Sequence, residues 1–135
     1  MSTTNPIRNR KTLGNFKNYY VNIRPNPRNY VMIVMGLNTA FRISDLLKLQ
    51  WQHVWDDHLQ HFRTHICLEE DKTGKTRIVP INPAEKQALT TYRNVCTEKG
   101  PSDYLFPSTR DKTKPLSRYQ AYRIIKAAAE ACGLE

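Results

Sequence analysis

Apolar side chains recur at helical spacing in the segment that follows the first prolines of the chain. Tyr30, Val31, Val34 and Met35 are separated by one, three or four positions, so they fall on one side of an α-helix. Proline is favoured in the first helical turn, where its missing N–H is not needed for a hydrogen bond. We therefore predict a largely buried helix from Pro27 to Asn38.

A second, shorter helix is predicted directly after this one. Arg42 lies in the connection, Ser44 can cap the helix with its hydroxyl group, and Asp45 puts a negative charge near the positive end of the helix dipole. The buried face would be formed by Leu46, Leu47, Leu49 and Trp51. One arginine thus lies between two apolar segments, which is an unusual place for an ordinary surface charge.

Alternating and β-branched residues predict a β-hairpin in the middle of the chain. Residues 64–69 alternate, residues 77–81 are β-branched and apolar, and the sequence DKTGK at residues 71–75 joins them. Gly74 lies where such a turn needs a positive φ. A short strand near Val54–Trp55 would complete a three-stranded antiparallel sheet.

Two more helices are predicted after the hairpin. One begins at Pro83 and ends before Gly100, and the other begins at Ser117, which forms a capping box with Gln120, and ends at Gly133. The aromatic residues expected in the core are Trp51, Trp55, Tyr92 and Tyr122. The predicted fold class is α+β, with helices packed around a small three-stranded antiparallel sheet.

Charge is distributed unevenly along the 135 residues, which carry a formal net charge of +9. The first carboxylate is Asp45, and the basic residues before it are Arg8, Arg10, Lys11, Lys17, Arg24, Arg28 and Arg42. Such a one-signed segment suits a polyanion such as nucleic acid, although a solvated leader without a partner has the same composition. We predict a basic, loosely ordered arm over residues 1–26 and a folded domain over residues 27–135.

Several classes of protein do not fit the composition. No apolar run has the length of a membrane span, and the polar N-terminus has no apolar signal-peptide core. The three cysteines are far apart, which indicates neither a disulfide framework nor a thiolate zinc site, so a reduced, cytoplasmic location is expected. His58, His61 and His65 fall on a turn leading into a strand, where their side chains would point in different directions, so no metal is predicted.

Arg42, Lys72 and Lys75 are the residues best suited to chemistry. An arginine fixed by packed neighbours offers a planar fork that fits phosphate oxygens, but a structural ion pair, for example with Asp45, would explain the same position. A lysine on a hairpin tip can move into a groove and donate a proton, but hairpin tips are commonly wet and charged. Considered one at a time, these residues leave both interpretations open.

Three segments, taken in order, resemble a known family. They are RISDLLKLQW at residues 42–51, KTGKTRIVPI at residues 72–81 and LFPS at residues 105–108. The ordered set resembles the tyrosine recombinases, or phage integrase family, over roughly residues 27–133, and it is far more specific than any one segment. The first segment is similar to the box around that family's first catalytic arginine, and the second is similar to the hairpin that carries its catalytic lysine.

The resemblance implies a role for four residues. Arg42 would bind the non-bridging oxygens of the scissile phosphate in double-stranded DNA, and Lys72 would protonate the departing 5′ oxygen, with Lys75 as the alternate. Asp45 falls where the family has an acidic residue that supports the arginine. The resemblance also implies no metal, nucleotide or other cofactor, because the family stores the bond energy in a phosphotyrosine link.

The sequence departs from the family pattern in two places. The family commonly has Thr-Gly-Leu before its arginine, whereas this chain has Thr-Ala-Phe at residues 39–41. The sequence also contains no His-x-x-Arg, its four histidines all precede the Lys72 hairpin, and none of its seven tyrosines follows a second arginine box. We therefore expect the N-terminal part of a recombinase catalytic domain, which binds DNA without cleaving it.

The parent enzyme implied by the resemblance performs site-specific DNA recombination or integration and acts as a tetramer on DNA. We expect the isolated chain to be a monomer or a weak oligomer. One alternative is a non-catalytic DNA-binding or regulatory remnant of an integrase. Another is an interaction domain whose basic arm is incidental, and failure to bind DNA at low salt would favour that alternative.

Overall fold

The computed structural model describes residues 10–96 and 98–133. Its helices are α1 (Arg10–Lys17), α2 (Pro27–Thr39), α3 (Ile43–Leu47), α4 (Pro83–Val95) and α5 (Arg118–Ala131). Its strands are β1 (Trp55–Asp56), β2 (His61–Phe62), β3 (His65–Glu69) and β4 (Thr76–Pro80). A π-helical turn, Tyr19–Ile23, follows α1, and a 3₁₀ turn, Trp51–His53, precedes β1. Helices combined with small antiparallel sheets confirm the predicted α+β class.

Helix α2 lies at the centre of the fold and confirms the helix predicted from the apolar spacing. Asn26 caps its start, since the side-chain oxygen of Asn26 accepts a hydrogen bond from the backbone N–H of Asn29 at 3.1 Å. All residues from Val31 to Met35 are buried. Such a helix needs neighbours on more than one side, and α4, the N-terminal segment and α5 supply them.

The predicted hairpin is confirmed in both its pairing and its turn. Strands β3 and β4 are antiparallel, with Ile66 opposite Val79. Gly74 has a φ of +69°, the left-handed conformation expected at that point of the turn. Residues 71–75 therefore form the turn at one end of the two-stranded β3–β4 sheet.

The predicted three-stranded sheet is wrong. In the described part of the chain, β1 pairs with β2 in a two-stranded sheet that is separate from the β3–β4 pair. The chain reverses directly after β1, because the Asp56 carboxylate accepts hydrogen bonds from the backbone N–H groups of His58 and Leu59. Strand β1 consequently finds its partner a few residues away and does not join the hairpin.

The predicted starts of the last two helices are confirmed, but the start of α3 is not. Ser117 and Gln120 form the expected capping box at α5. At α3 the N-cap residue is Arg42, whose extended backbone has φ −65° and ψ 152°, and Ser44 lies inside the helix. The helix begins two residues earlier than predicted because the carbonyl oxygen of Arg42 already accepts the backbone N–H of Leu46 at 2.9 Å.

The prediction of a loosely ordered N-terminal arm is wrong for residues 10–24. This segment is helical, and its side chains Phe16 and Tyr20 are buried against Ile33 of α2 and Ala128 of α5. The Tyr20 hydroxyl group donates a hydrogen bond to the carbonyl oxygen of Ile124 at 2.6 Å. Residues 1–9 lie outside the described residues. No helix in the described part of the chain is both long and apolar enough to cross a membrane.

Two of the four aromatic residues predicted for the core are buried, one is partly buried and one is exposed. Trp51 and Tyr92 are buried, as predicted. Trp55 is half-buried, and the Arg93 guanidinium lies 3.6 Å from the centre of its ring. Tyr122 is 51% exposed, so its assignment to the core is wrong. The fully buried residues of α5 are Ala121 and Ala128, and Tyr122 lies outside this buried strip.

Candidate active site and nucleic-acid interface

Arg42 lies at the point where the chain leaves α2 and enters α3. Ala40 ends α2 in the left-handed conformation, and the side chain of Phe41 is buried. The Arg42 side chain remains 48% exposed, and one of its terminal nitrogens lies 3.7 Å from a carboxylate oxygen of Glu70. An arginine held in this way is fixed at its base and keeps most of its hydrogen-bond donors for another acceptor.

Glu70 joins Arg42 to the hairpin turn. One carboxylate oxygen accepts a hydrogen bond from the Thr73 hydroxyl group at 2.8 Å. The other faces Arg42 and also accepts from Arg77 at 3.5 Å. The Glu70 side chain is only 12% exposed, although it belongs to a hairpin turn. Glu70 therefore connects both predicted catalytic segments, although no sequence motif marks it.

Lys72 and Lys75 lie at the exposed tip of the same hairpin. Two backbone hydrogen bonds close the turn: Gly74 N–H donates to the carbonyl oxygen of Glu70, and Glu70 N–H donates to that of Lys75, each at 2.8 Å. Neither lysine side chain contacts another described residue through a hydrogen bond or ion pair. Their backbone is therefore held while their ammonium groups are free to reach a ligand.

Asp45 supports the hairpin and not Arg42. Its carboxylate is fully buried and accepts a hydrogen bond from the backbone N–H of Asp71 at 3.1 Å. Lys48 lies 3.4 Å from Asp45 and 2.7 Å from Asp71, and it also donates to the carbonyl oxygen of Glu69. Burial opposes the charge of Lys48, but these carboxylate contacts outweigh it and raise the pKa of the ammonium group. Among the described residues, the acidic partner of Arg42 is Glu70.

Arg77 braces the loop that leads to Arg42. Its guanidinium donates to the carbonyl oxygens of Thr39 and Ala40 at 3.3 Å and 3.2 Å. It also lies over the ring of Phe41 at 5.0 Å. Because those carbonyl groups end α2, Arg77 supplies a cation at the negative end of the helix dipole. The loop and the hairpin are thus held together just before Arg42.

Some of the basic residues predicted to contact DNA are exposed, and one of them is bound inside the protein. Lys11 and Arg24 are exposed and Lys17 is partly exposed, whereas Arg8 and the side chain of Arg10 lie outside the described residues. Arg28 is different. Its guanidinium donates to the Asn29 side chain at 2.9 Å, the Pro107 carbonyl oxygen at 3.1 Å and the Thr109 hydroxyl group at 3.3 Å. Burial lowers its pKa, and its contacts tie α2 to the loop before α5.

Helix α5 presents a basic and aromatic face that the sequence analysis missed. The exposed residues of this face are Arg118, Tyr119, Tyr122, Arg123 and Lys126. Their spacing places them on one side of a helix, and the Arg123 guanidinium lies 5.8 Å from the centre of the Tyr119 ring. Cations combined with exposed rings are typical of surfaces that contact nucleic acid. The signal in the sequence was the repetition of arginine and lysine along this helix, at residues 118, 123 and 126.

The described histidines, cysteines and carboxylates form no group of three or more that could hold a metal ion. His53 is partly buried and accepts a hydrogen bond from the backbone N–H of Gln50 at 2.8 Å. Burial lowers its pKa, so it is neutral near pH 7. His58, His61 and His65 are exposed.

The helices and small antiparallel sheets match the fold of the tyrosine recombinase catalytic core. Residues 15–135 match the model of the Phage integrase family, and the chain belongs to that family. It is 39% identical over all its 135 residues to the "Probable integrase/recombinase YoeC" of Bacillus subtilis (strain 168), and it spans 68% of that protein.

Two solved structures resemble this fold at low sequence identity. The crystal structure of XerA recombinase has a TM-score of 0.71 and 20% identity, with 93% of this chain and 42% of XerA aligned. The lambda integrase (residues 75–356) bound to DNA has a TM-score of 0.63 and 20% identity, with 93% of this chain and 41% of the integrase aligned. The chain therefore spans less than half the length of these two structures.

Proposed function

We propose that this chain is part of a site-specific DNA recombinase and supplies one half of its active site. Arg42 binds the non-bridging oxygens of the scissile phosphate, and Lys72 donates a proton to the departing 5′ oxygen. The observation that carries the proposal is the Glu70 carboxylate, which contacts Arg42 and the turn that bears Lys72. An arginine and a lysine-bearing turn that are both held by one carboxylate are suited to act on a single phosphate.

Double-stranded DNA is the proposed partner. The fold is shared with a lambda integrase that was crystallised bound to DNA, and the α5 face offers Arg118, Arg123 and Lys126 to a phosphate backbone. Lys11, Lys17 and Arg24 extend the basic surface. Arg28 is left out of the proposed contacts because its donors are used inside the protein. The parent enzyme would act as a tetramer in the cytoplasm, and the isolated chain would be monomeric or weakly associated.

Cleavage would need groups that are absent from these 135 residues. The nucleophilic tyrosine and the His-x-x-Arg pair of the family have no counterpart in the sequence. The chain would therefore bind DNA without forming a phosphotyrosine link. The exposed α5 face equally suits the second candidate function, a non-catalytic DNA-binding or regulatory integrase remnant.

The test compares Arg42→Ala, Lys72→Ala and Lys75→Ala in a salt titration of binding to a short DNA duplex. We expect Arg42→Ala and Lys72→Ala each to weaken binding about fivefold and to reduce the slope of log K against log salt by about one. Lys86→Ala, an exposed lysine on α4, is the charge-matched control and should change little. A larger loss for Lys75→Ala than for Lys72→Ala would assign the phosphate contact to Lys75.

The same preparation tests cleavage. Incubation with a nicked suicide duplex should give no covalent protein–DNA adduct on a denaturing gel. An adduct would contradict the proposed absence of a nucleophile. Equal affinities of Arg42→Ala, Lys72→Ala and the Lys86→Ala control would contradict the half-site itself and leave the remnant as the better interpretation.

A further inference from the structure

We infer that Glu70 is a positioning residue that holds Arg42 and the Lys72 turn in one arrangement before DNA binds. The inference rests on the proposed function, because it concerns how that half-site is prepared for a phosphate. Glu70 stands out by its burial. Carboxylates in hairpin turns are usually solvated, yet the Glu70 side chain is only 12% exposed and has three partners.

On the hairpin side, Glu70 fixes the residue next to Lys72. Its carboxylate accepts the Thr73 hydroxyl group at 2.8 Å, and the Thr73 hydroxyl oxygen in turn accepts the backbone N–H of Lys75 at 3.1 Å. The backbone of Glu70 closes the same turn through two further hydrogen bonds. Lys72 is therefore enclosed in a turn that this one glutamate organises from both its backbone and its side chain.

On the arginine side, Glu70 acts both directly and through Arg77. The direct contact with Arg42 is 3.7 Å long, which is an ion pair without a good hydrogen bond. The contact with Arg77 is 3.5 Å long, and Arg77 holds the carbonyl oxygens of Thr39 and Ala40. A phosphate could thus take the donors of Arg42 while Glu70 keeps Arg77 and Thr73 in place.

Because Glu70 is negatively charged, its role can be tested by whether Glu70→Ala strengthens or weakens DNA binding. Removing a carboxylate from a DNA-binding surface should strengthen binding, because repulsion with the phosphates is lost. Removing a residue that positions Arg42 and Lys72 should weaken binding. The two expectations have opposite signs for Glu70→Ala.

Glu69→Ala is the matched control. Glu69 is the adjacent residue, its side chain is exposed, and its substitution changes the net charge by the same amount. We expect Glu69→Ala to bind a DNA duplex as tightly as the unmodified chain or more tightly. We expect Glu70→Ala to bind about threefold to fivefold more weakly, which is the scale of one lost charged contact.

Two further variants separate positioning from general loss of structure. Glu70→Gln keeps one acceptor oxygen for Arg77, and its amide N–H can donate to the Thr73 hydroxyl oxygen, so it should restore most of the affinity. Thr73→Val removes the hydroxyl link at an exposed position without a change in charge, and it should reduce the effect that Lys72→Ala has on binding. In a Glu70→Ala background, Arg42→Ala should likewise cost less than it does alone. These couplings would not arise if Glu70 only stabilised the fold.

The outcomes distinguish this inference from the proposed function. If Glu70→Ala binds like Glu69→Ala while Arg42→Ala still weakens the unmodified chain, the role of Glu70 is overturned and the half-site stands. If Arg42→Ala has no effect on the unmodified chain, the half-site is overturned and the role of Glu70 with it. If Glu70→Ala does not fold, the Thr73→Val protein provides the test. If Lys72→Ala then weakens DNA binding of the Thr73→Val protein as much as it weakens binding of the unmodified chain, the inference is overturned.

Discussion

The turn before Arg42 depends on one residue. Ala40 has φ 57° and ψ 21°, the left-handed conformation in which a helix commonly ends at glycine. The side chain of an L-residue costs roughly 1–2 kcal/mol in that conformation, because its Cβ approaches the backbone too closely. This is the position at which the related family commonly has glycine. Ala40 therefore carries backbone strain two residues before Arg42, the residue proposed to bind the phosphate.

We predict that Ala40→Gly stabilises the fold by about 0.5–1 kcal/mol, since relief of the strain exceeds the added flexibility of the unfolded chain. Urea unfolding of both proteins measures the difference. Ala127→Gly is the control, because Ala127 is an exposed residue inside α5 and glycine there should cost about 1 kcal/mol. A loss of stability in Ala40→Gly would mean that Ala40 is not strained.

At the residue scale, the sequence predicts roles for Arg42 and Lys72 but gives no sign of the position of Glu70. The first two belong to contiguous patterns that can be read without knowing what packs against them. Glu70 gains its partners only when the loop at residues 39–41 folds against the hairpin, so its burial depends on contacts between distant segments. In the sequence it is a glutamate in a polar turn, where solvation is the ordinary expectation. Tyr122 shows the converse error, because helical spacing alone did not identify which side of α5 is covered.

At the element scale, the β3–β4 hairpin is fixed to α3 by a small cluster of charges. Asp45 is fully buried and Lys48 is the cation nearest to it, with Asp71 and the carbonyl oxygen of Glu69 completing the contacts. A buried carboxylate that loses its cation is costly, because its charge is no longer compensated in a poorly solvated site. The cluster therefore sets where the hairpin tip, and with it Lys72, lies relative to Arg42.

We predict that Lys48→Ala lowers the free energy of unfolding by about 2 kcal/mol and increases amide exchange in the hairpin, because Asp45 loses its cation and Asp71 loses a hydrogen bond. Chemical unfolding and hydrogen exchange measure the two effects. Lys75→Ala is the control within the same hairpin, and it should cost less than about 0.5 kcal/mol because the Lys75 side chain forms no hydrogen bond or ion pair with another described residue. Equal losses in the two variants would show that the cluster does not anchor the hairpin.

The elements that could be predicted are those whose signals are local. Helices α2, α4 and α5 are predicted from apolar spacing together with Pro27, Pro83 and Ser117 at their starts. The pairing of β1 could not be predicted in this way, since it depends on the turn that Asp56 makes. Helix α1 was missed because its apolar positions are separated by asparagine, lysine and glycine, which weakened the periodic signal.

At the scale of the whole molecule, the N-terminal segment and α5 form a second apolar cluster beside the main core. Leu13, Phe16 and Tyr20 have the spacing of one helical face, and they meet Ile33 of α2 and Ala128 of α5. The hydrogen bond from Tyr20 to the Ile124 carbonyl oxygen joins the segment to the last helix of the described chain. These contacts argue that the folded unit begins before the boundary predicted at residue 27.

We therefore predict that a chain shortened to residues 27–135 is less stable than one shortened to residues 10–135 by about 4 kcal/mol, because the burial of Phe16 and Tyr20 is lost and apolar surface of α2 and α5 becomes exposed. Thermal and chemical unfolding of both shortened chains measure the difference. Phe16→Ala in the full chain should alone cost about 3 kcal/mol, which ties the effect to packing and not to chain length.

If the chain of residues 27–135 were as stable as that of residues 10–135, the boundary at residue 27 would stand and the N-terminal helix would not be part of the folded unit. If it is less stable, the basic residues Lys11, Lys17 and Arg24 are carried on the folded body, and they can contact DNA only at positions fixed relative to α5.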